Sequence, residues 1–200
     1  MTLTYFKDYQ ELLSTCNGFW DLRGNVLPIV GTVTGTITSA TTTTNRFEET
    51  SKAYAFSGST QYITFGNTAV SIKSLMFWVK LTSTTQSILK LTDTPHKITI
   101  SSGTISATGW PATVVIYVDG AASSTISDAN WHCVVVTTSG TAFSAANLIL
   151  GYDGTAYLAG SIGEVLTFSS QLSAVEVKTL YNLMRNKCIY PVIAGSRELS

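Results

Sequence analysis

The sequence predicts an all-β protein, an antiparallel β-sandwich or barrel with one short helix at each end. Three observations carry this. Short β-branched and aromatic stretches recur about every 8 to 15 residues from residue 54 onward. Turn signals separate them, among them Ser57-Gly58-Ser59, Asp119-Gly120, Ser139-Gly140 and Asp153-Gly154. No helical periodicity lies between them, which excludes a βαβ arrangement. At 200 residues the chain makes one domain, large enough to bury about 70% of its unfolded surface without disulfides.

Taken in order, Tyr5, Phe6, Tyr9, Leu12, Leu13 and Cys16 fall on one face of a helix over residues 1–17, with Thr4 as N-cap and Asn17-Gly18 as the stop. This segment is a candidate for docking. Strands follow at 19–22 and, from its period-two alternation, 31–38. Residues 39–51, with five Thr and no apolar period, are expected to be an exposed loop. The remaining strands are expected at 54–57, 61–65, 75–81, 87–91, 97–101, 113–118, 131–138, 148–150, 157–162 and 165–168. Two of them, 75–79 and 114–118, are almost continuously apolar and should be covered on both faces or lie centrally in a sheet. Ser173 and Glu176 form a capping box, so a helix should run from there to about residue 186 with Val177, Leu180, Tyr181 and Met184 on one face. Residues 188–200, with Pro191 and Gly195, read as an extended tail, which leaves 18–187 as the sandwich domain.

Lys+Arg and Asp+Glu both number 12, so the net charge is zero, and charged residues make up 12% of the chain where about 25% is usual. Nucleic-acid binding by charge and a polybasic membrane surface are both excluded. Polarity comes instead from 31 Thr and 23 Ser. The uncharged stretches 98–118 and 129–152 are broken by Gly, Ser, Thr and Pro111, so neither reads as a membrane span. Lys7, Asp8 and Glu11 stand where a secretory signal needs an apolar run, so export by that route is not expected. Cys16, Cys133 and Cys188 lack CxxC or Cys/His metal spacing and read as reduced thiols.

Several strings then resemble one family when taken together. They are Tyr54-Ala-Phe-Ser-Gly-Ser-Thr-Gln-Tyr-Ile-Thr64, Leu75-Met-Phe-Trp-Val-Lys80, Val115-Ile-Tyr-Val-Asp-Gly120 and Asn130-Trp-His-Cys-Val-Val-Val-Thr137. Leu148-Ile-Leu-Gly151, Tyr157-Leu-Ala-Gly-Ser-Ile-Gly-Glu-Val165 and Leu172-Ser-Ala-Val-Glu176 complete the series. Their order is similar to that of the concanavalin A-like jelly roll in its laminin G-like, pentraxin-like form, over about residues 18–186. The resemblance implies a jelly-roll sandwich with Trp78 and Trp131 as core aromatics, and Asp119-Gly120 as a two-residue hairpin turn. It does not fix a function, because this fold serves lectins, glycan hydrolases, adhesion modules and virion parts alike.

Hydrolysis of glycans needs two carboxylates on a concave face. The family's Glu-x-Asp-x-(x)-Glu string is missing here; Glu176 is taken by the capping box, and Glu48-Glu49 falls in the loop. His96 and His132 lie near no GxSxG-like nucleophile, so no catalytic triad is expected. Family members often hold calcium at the rim, but Gly163 stands where the family carries Asp. No cofactor is therefore required, and the one metal left open is a calcium at Asp119, Asp153 and Glu164. Carbohydrate binding needs only a stacking aromatic with hydrogen-bonding neighbours, and Trp110, Tyr152 and Tyr157 are the candidates.

The resulting expectation is a non-enzymatic structural or decoration module of a virus particle, a tailed phage in particular. It would be made in the host cytoplasm, partnered by other virion proteins and copies of itself, and able to attach to host-surface glycans. The alternative is a carbohydrate-binding lectin or adhesin that is not part of a virion. Neither involves nucleic acid or membrane insertion.

Overall fold

The computed structural model describes residues 12, 14–68, 70–92 and 96–186. Its first strands are β1 (Cys16–Trp20), β2 (Pro28–Val30), β3 (Thr36–Thr38), β4 (Thr41–Thr43), β5 (Ala53–Ser57) and β6 (Tyr62–Gly66). Next come β7 (Ser71–Ile72), β8 (Ser74–Leu81), β9 (Gln86–Lys90), β10 (Lys97–Ser101), β11 (Thr104–Thr108) and β12 (Val114–Val118). The chain closes with β13 (Ala121–Ala122), β14 (Trp131–Thr138), β15 (Phe143–Ser144), β16 (Leu148–Leu150), β17 (Ala159–Phe168) and helix α1 (Ala174–Arg185).

The strands pair antiparallel into two main sheets. The larger runs β13-β12-β14-β8-β17-β1-β2, with β5 also on β17 and β4 on β5. The smaller runs β11-β10-β9-β16-β6-β3, and a two-stranded sheet joins β15 to β7. Ten of the expected stretches from residue 54 onward coincide with strands, except that 157–162 and 165–168 are one continuous strand, β17. Between Ile162 and Val165 its pairing with β8 shifts register. This bulge falls where β17 changes partner from β5, ending at Ile162↔Tyr54, to β1, beginning at Val165↔Trp20. Ile162 and Val165 both point into the main core, so the two residues between them are left to face outward.

Two apolar layers result, one on each side of the larger sheet. Between the sheets lie Trp20, Phe56, Ile63, Phe77, Val79, Leu89, Ile98, Val134, Leu150 and their neighbours. On the far side, Phe19, Met76, Trp78, Cys133, Val135, Leu166 and Phe168 are covered by Val177, Leu180 and Met184 of α1 and by Leu12. The helix sits where the sequence predicts. Ser173 caps it, its hydroxyl accepting from the Glu176 N–H while the Glu176 carboxylate accepts from the Ser173 N–H. The Asp119-Gly120 turn is as expected too, with φ of 53° and 75° at its two residues, the left-handed pair that a tight hairpin needs.

Five local expectations need correction or restriction. The N-terminal helix expected over 1–17 falls mostly outside the described residues, and Cys16 and Asn17 belong to β1, because Cys16 pairs with Phe168. Only Thr36–Thr38 of the stretch 31–38 is a strand. The Thr-rich segment 39–51 is not simply an exposed loop: Thr41–Thr43 pairs with β5, and Asn45 is buried. The apolar strand at 114–118 has half-buried Val114, Val115 and Ile116, since only the two-residue β13 lies beyond it in the sheet. The extended tail expected at 188–200 lies outside the described residues.

Candidate carbohydrate-binding face

Pairing alternates the smaller sheet's side chains between core and outside. Ile98, Leu89, Leu150 and Ile63 form one cross-strand row, fully buried against the main core. The neighbouring row, Thr108, Lys97, Lys90, Ile149, Thr64 and Thr36, therefore faces outward. Tyr62 faces the same way, one residue before buried Ile63.

The connection from β16 to β17 folds against this outward face. Tyr152 and Tyr157 form an isolated antiparallel bridge, and their rings stack at 4.5 Å with 24° between planes. Tyr62 adds a third ring, tilted against Tyr152 at 6.1 Å. All three side chains are half-buried. The Tyr152 hydroxyl donates to the Gly154 carbonyl at 2.7 Å, which ties the ring to the tip of its own loop. Gly151, with φ of 83°, lies so close to the Phe56 ring that a Cβ there would sit 2.3 Å from it, so glycine is required at the start of the loop.

Asp153 holds the loop together. Its side chain is 1% exposed. Oδ1 accepts from the Thr155 N–H at 2.9 Å, the Thr155 hydroxyl at 2.8 Å and the Ala156 N–H at 2.9 Å. Oδ2 accepts from Lys97 Nζ at 3.0 Å. Burial alone would raise its pKa. The Ala156 N–H, Lys97 and the Thr155 donors outweigh that and hold the carboxyl well below the usual range. Two half-buried tyrosines are thus displayed on a loop pinned by a buried carboxylate, beside a lysine and a row of threonine hydroxyls.

Trp110, the third aromatic expected here, lies elsewhere. It is 7% exposed and sits edge-on to Phe143 at 5.0 Å, within the main core. Long-range packing against β15 has drawn in an indole that the Gly-Trp-Pro sequence suggests is on the rim. Phe143 in turn stacks on His96 at 4.1 Å, and burial lowers the His96 pKa. Tyr62 was the aromatic that the sequence did not single out; its alternation with Ile63 and Phe65 was the available signal.

The three carboxylates expected for a metal are not brought together, and each meets its own partner. Asp119 accepts from the Cys133 N–H at 3.0 Å and contacts His132 Nδ1 at 2.7 Å. Asp153 is saturated as described. Glu164, placed outward by the β17 bulge, pairs with Arg46, the two side chains being 2% and 5% exposed. Arg46 also donates to the Met184 carbonyl at 2.8 Å and lies over the Trp78 ring at 4.1 Å. Such a donor set does not fit a calcium ion, which takes six to eight oxygens in one place. Among the described residues no group of three His, Cys, Asp or Glu is placed to hold a metal. Gly163, in the position of the family's Asp, backs onto Trp78 with room of only 3.3 Å for a Cβ.

Cys16 and Cys133 are free and buried; burial pushes the Cys16 thiol up to about 12 and also raises Cys133 well above the ordinary thiol value. Neither is an activated nucleophile.

No family model and no curated protein matches the sequence. Solved structures do match the fold. Domain 4 of an extracellular family 43 arabinanase from Geobacillus stearothermophilus, in complex with arabinotriose, aligns with TM-score 0.52 at 17% identity, over 84% of this chain and 98% of that one. A mutant of the protein described as HCR/D aligns with TM-score 0.60 at 14% identity, over 87% of this chain and 52% of that one. A mutant Trypanosoma rangeli sialidase with trans-sialidase activity aligns with TM-score 0.58 at 11% identity, over 91% of this chain and 38% of that one. The chain thus spans nearly all of the arabinanase domain but only part of the other two. These likenesses show the β-sandwich fold.

Proposed function

We propose that this chain is a non-enzymatic carbohydrate-binding β-sandwich module that holds its ligand on the outward face of the smaller sheet, against Tyr62, Tyr152 and Tyr157. The observation that carries the reading is the gathering of three tyrosine rings beside Thr64 and Lys97 by a loop anchored on buried Asp153. A sugar's C–H face packs on an aromatic ring, while hydroxyls and an ammonium supply orienting hydrogen bonds. The arabinanase domain crystallised with arabinotriose lends support as a sandwich of the same architecture. The lack of hydrolysis is supported by the engagement of Asp119, Asp153 and Glu164 in ion pairs and turns, which leaves none of them as one of the two free carboxylates that glycosidases use. Placement in a tailed-phage particle, the expectation of the sequence analysis, draws no support from the solved structures, and the proposal does not depend on it.

The test is a glycan array that includes arabinotriose, run with calcium and with a chelator, on the wild type, Tyr152→Ala and Tyr157→Ala. Saturable binding, insensitive to chelator and weakened about tenfold or more in each variant, is expected. Absence of binding to every glycan, or binding unchanged by both variants, overturns the proposal.

A further inference from the structure

The chain crosses from the end of β8 into the smaller sheet beside the start of β17, where the Thr82 N–H and hydroxyl donate to the Ala159 carbonyl at 3.1 and 2.7 Å. There a cleft of about 360 Å³ opens between residues 81–84 and 126–129, within the roughly 300–1,000 Å³ range of small-molecule sites. Its floor is apolar: Leu81 and Ile126 are 3% and 1% exposed and belong to the main core. Its walls carry the hydroxyl residues Thr84 and Ser127, and Asp128 stands at the edge. No lysine or arginine lines it.

Asp128 is held by the imidazole of His132. His132 Nε2 lies 3.0 Å from Asp128 Oδ1, while Nδ1 lies 2.7 Å from Asp119 Oδ2. Both ring nitrogens can donate only when the ring is protonated. Loss of the proton leaves one nitrogen lone pair against a carboxylate, and the contact to give way is the one with Asp128, whose side chain is 50% exposed against 35% for Asp119.

We propose that this cleft is a second binding site, independent of the tyrosine face, for a monosaccharide-sized polyhydroxylated ligand that carries no anionic group, and that His132 is the positioning residue that fixes Asp128 at its mouth. The apolar floor takes the ligand's C–H surface, the threonine and serine hydroxyls exchange hydrogen bonds with it, and Asp128 accepts from its hydroxyls. The two carboxylates of Asp128 and Asp119 outnumber the single imidazolium between them, so the mouth keeps a net negative charge that turns away phosphates and uronates.

The groups around His132 set the pH dependence. On this face β8 contributes the apolar Leu75, Phe77, Val79 and Leu81, of which Val79 pairs with His132; the turn after β12 contributes Asp119, and the segment before β14 contributes Asp128. Lys80, paired with Trp131, is on the opposite face, and Lys178 of α1 lies against Gly120 of the Asp119 turn. The hydrogen bond with Asp119, and the one with Asp128, raise the His132 pKa above its ordinary value against the opposing effect of burial. Binding is therefore strongest below that raised value and falls as pH rises through it.

The experiment is a titration of the ¹⁵N-labelled full chain, followed by NMR, with glucose, galactose, mannose and arabinose, and with glucuronate as the anionic control, at pH 6 and pH 9. The expected result is that at least one neutral sugar shifts the amides of residues 81–84 and 126–129 at pH 6, with affinity at least tenfold lower at pH 9 and in Asp128→Asn. His132→Gln should bind weakly and equally at both pH values. No shift there with any neutral sugar, an equal response to glucuronate, or wild-type binding that does not change with pH would overturn the proposal. Shifts at Tyr62, Tyr152 and Tyr157 report the other face, so the two readings fail separately.

Discussion

The outward faces of the two sheets are built in opposite ways. The larger sheet presents Phe19, Met76, Trp78, Leu166 and Phe168, and seals them under α1 with the Arg46–Glu164 pair at the side. The smaller sheet presents threonines, Lys97 and three half-buried tyrosines, with Lys90 and Ile149 buried in the same row and the 151–157 loop lying against them. The first face is dry, and its charges are spent on one another; the second is polar, and its aromatic rings keep part of their surface in water. With the proposed function, one side of the sandwich serves stability and the other recognition. Substitutions on the sealed face should lower stability, whereas those on the open face should lower binding.

The largest effect is expected at the ion pair of the sealed face. Glu164→Gln leaves the Arg46 charge buried without its counter-ion, and urea unfolding should show a loss of about 3–5 kcal/mol. An unchanged midpoint would mean that the pair is not buried in solution. Leu180→Ala, which opens a cavity between α1 and the sheet, should cost about 2–5 kcal/mol in the same assay without altering glycan binding.

Asp153 belongs to both regions, since it stabilises the fold by holding the loop proposed to bind the ligand. Its pKa is lower folded than unfolded, so its contribution is fully present above the unfolded carboxylate range near pH 4 and is lost as pH falls below it. Asp153→Asn keeps one acceptor for the loop amides but loses the charge facing Lys97. A loss of about 1–3 kcal/mol at neutral pH is expected, with a flatter acid limb in the pH–stability profile. The smallest stability effect, about 1 kcal/mol or less, belongs to half-exposed Tyr157→Ala, the substitution expected to harm binding most.

Much of the sandwich is legible in the sequence because its signals are local. Asp119-Gly120, the Ser173–Glu176 capping box and the alternation within 61–65 each declare themselves within a few residues. Strands of two or three residues, such as β7, β13 and β15, are too short to leave a period. The Arg46–Glu164 pair joins positions 118 apart, through a bulge that no local pattern announces, so residues 39–51 read as loop alone. The same holds for the candidate site. Tyr152 and Tyr157 could be found because they flank a turn, whereas Tyr62 joins them only through strand pairing. Trp110 reads as a rim residue because its burial against Phe143 depends on another strand.

The most direct test of this division is NMR mapping of the full chain as it is titrated with the glycan that the array ranks highest. Amide shifts concentrated at Tyr62, Thr64, Lys97 and residues 152–157, with α1 unmoved, are the predicted result. Shifts centred on α1 or on the larger sheet's outward face, with the tyrosine loop silent, would contradict it.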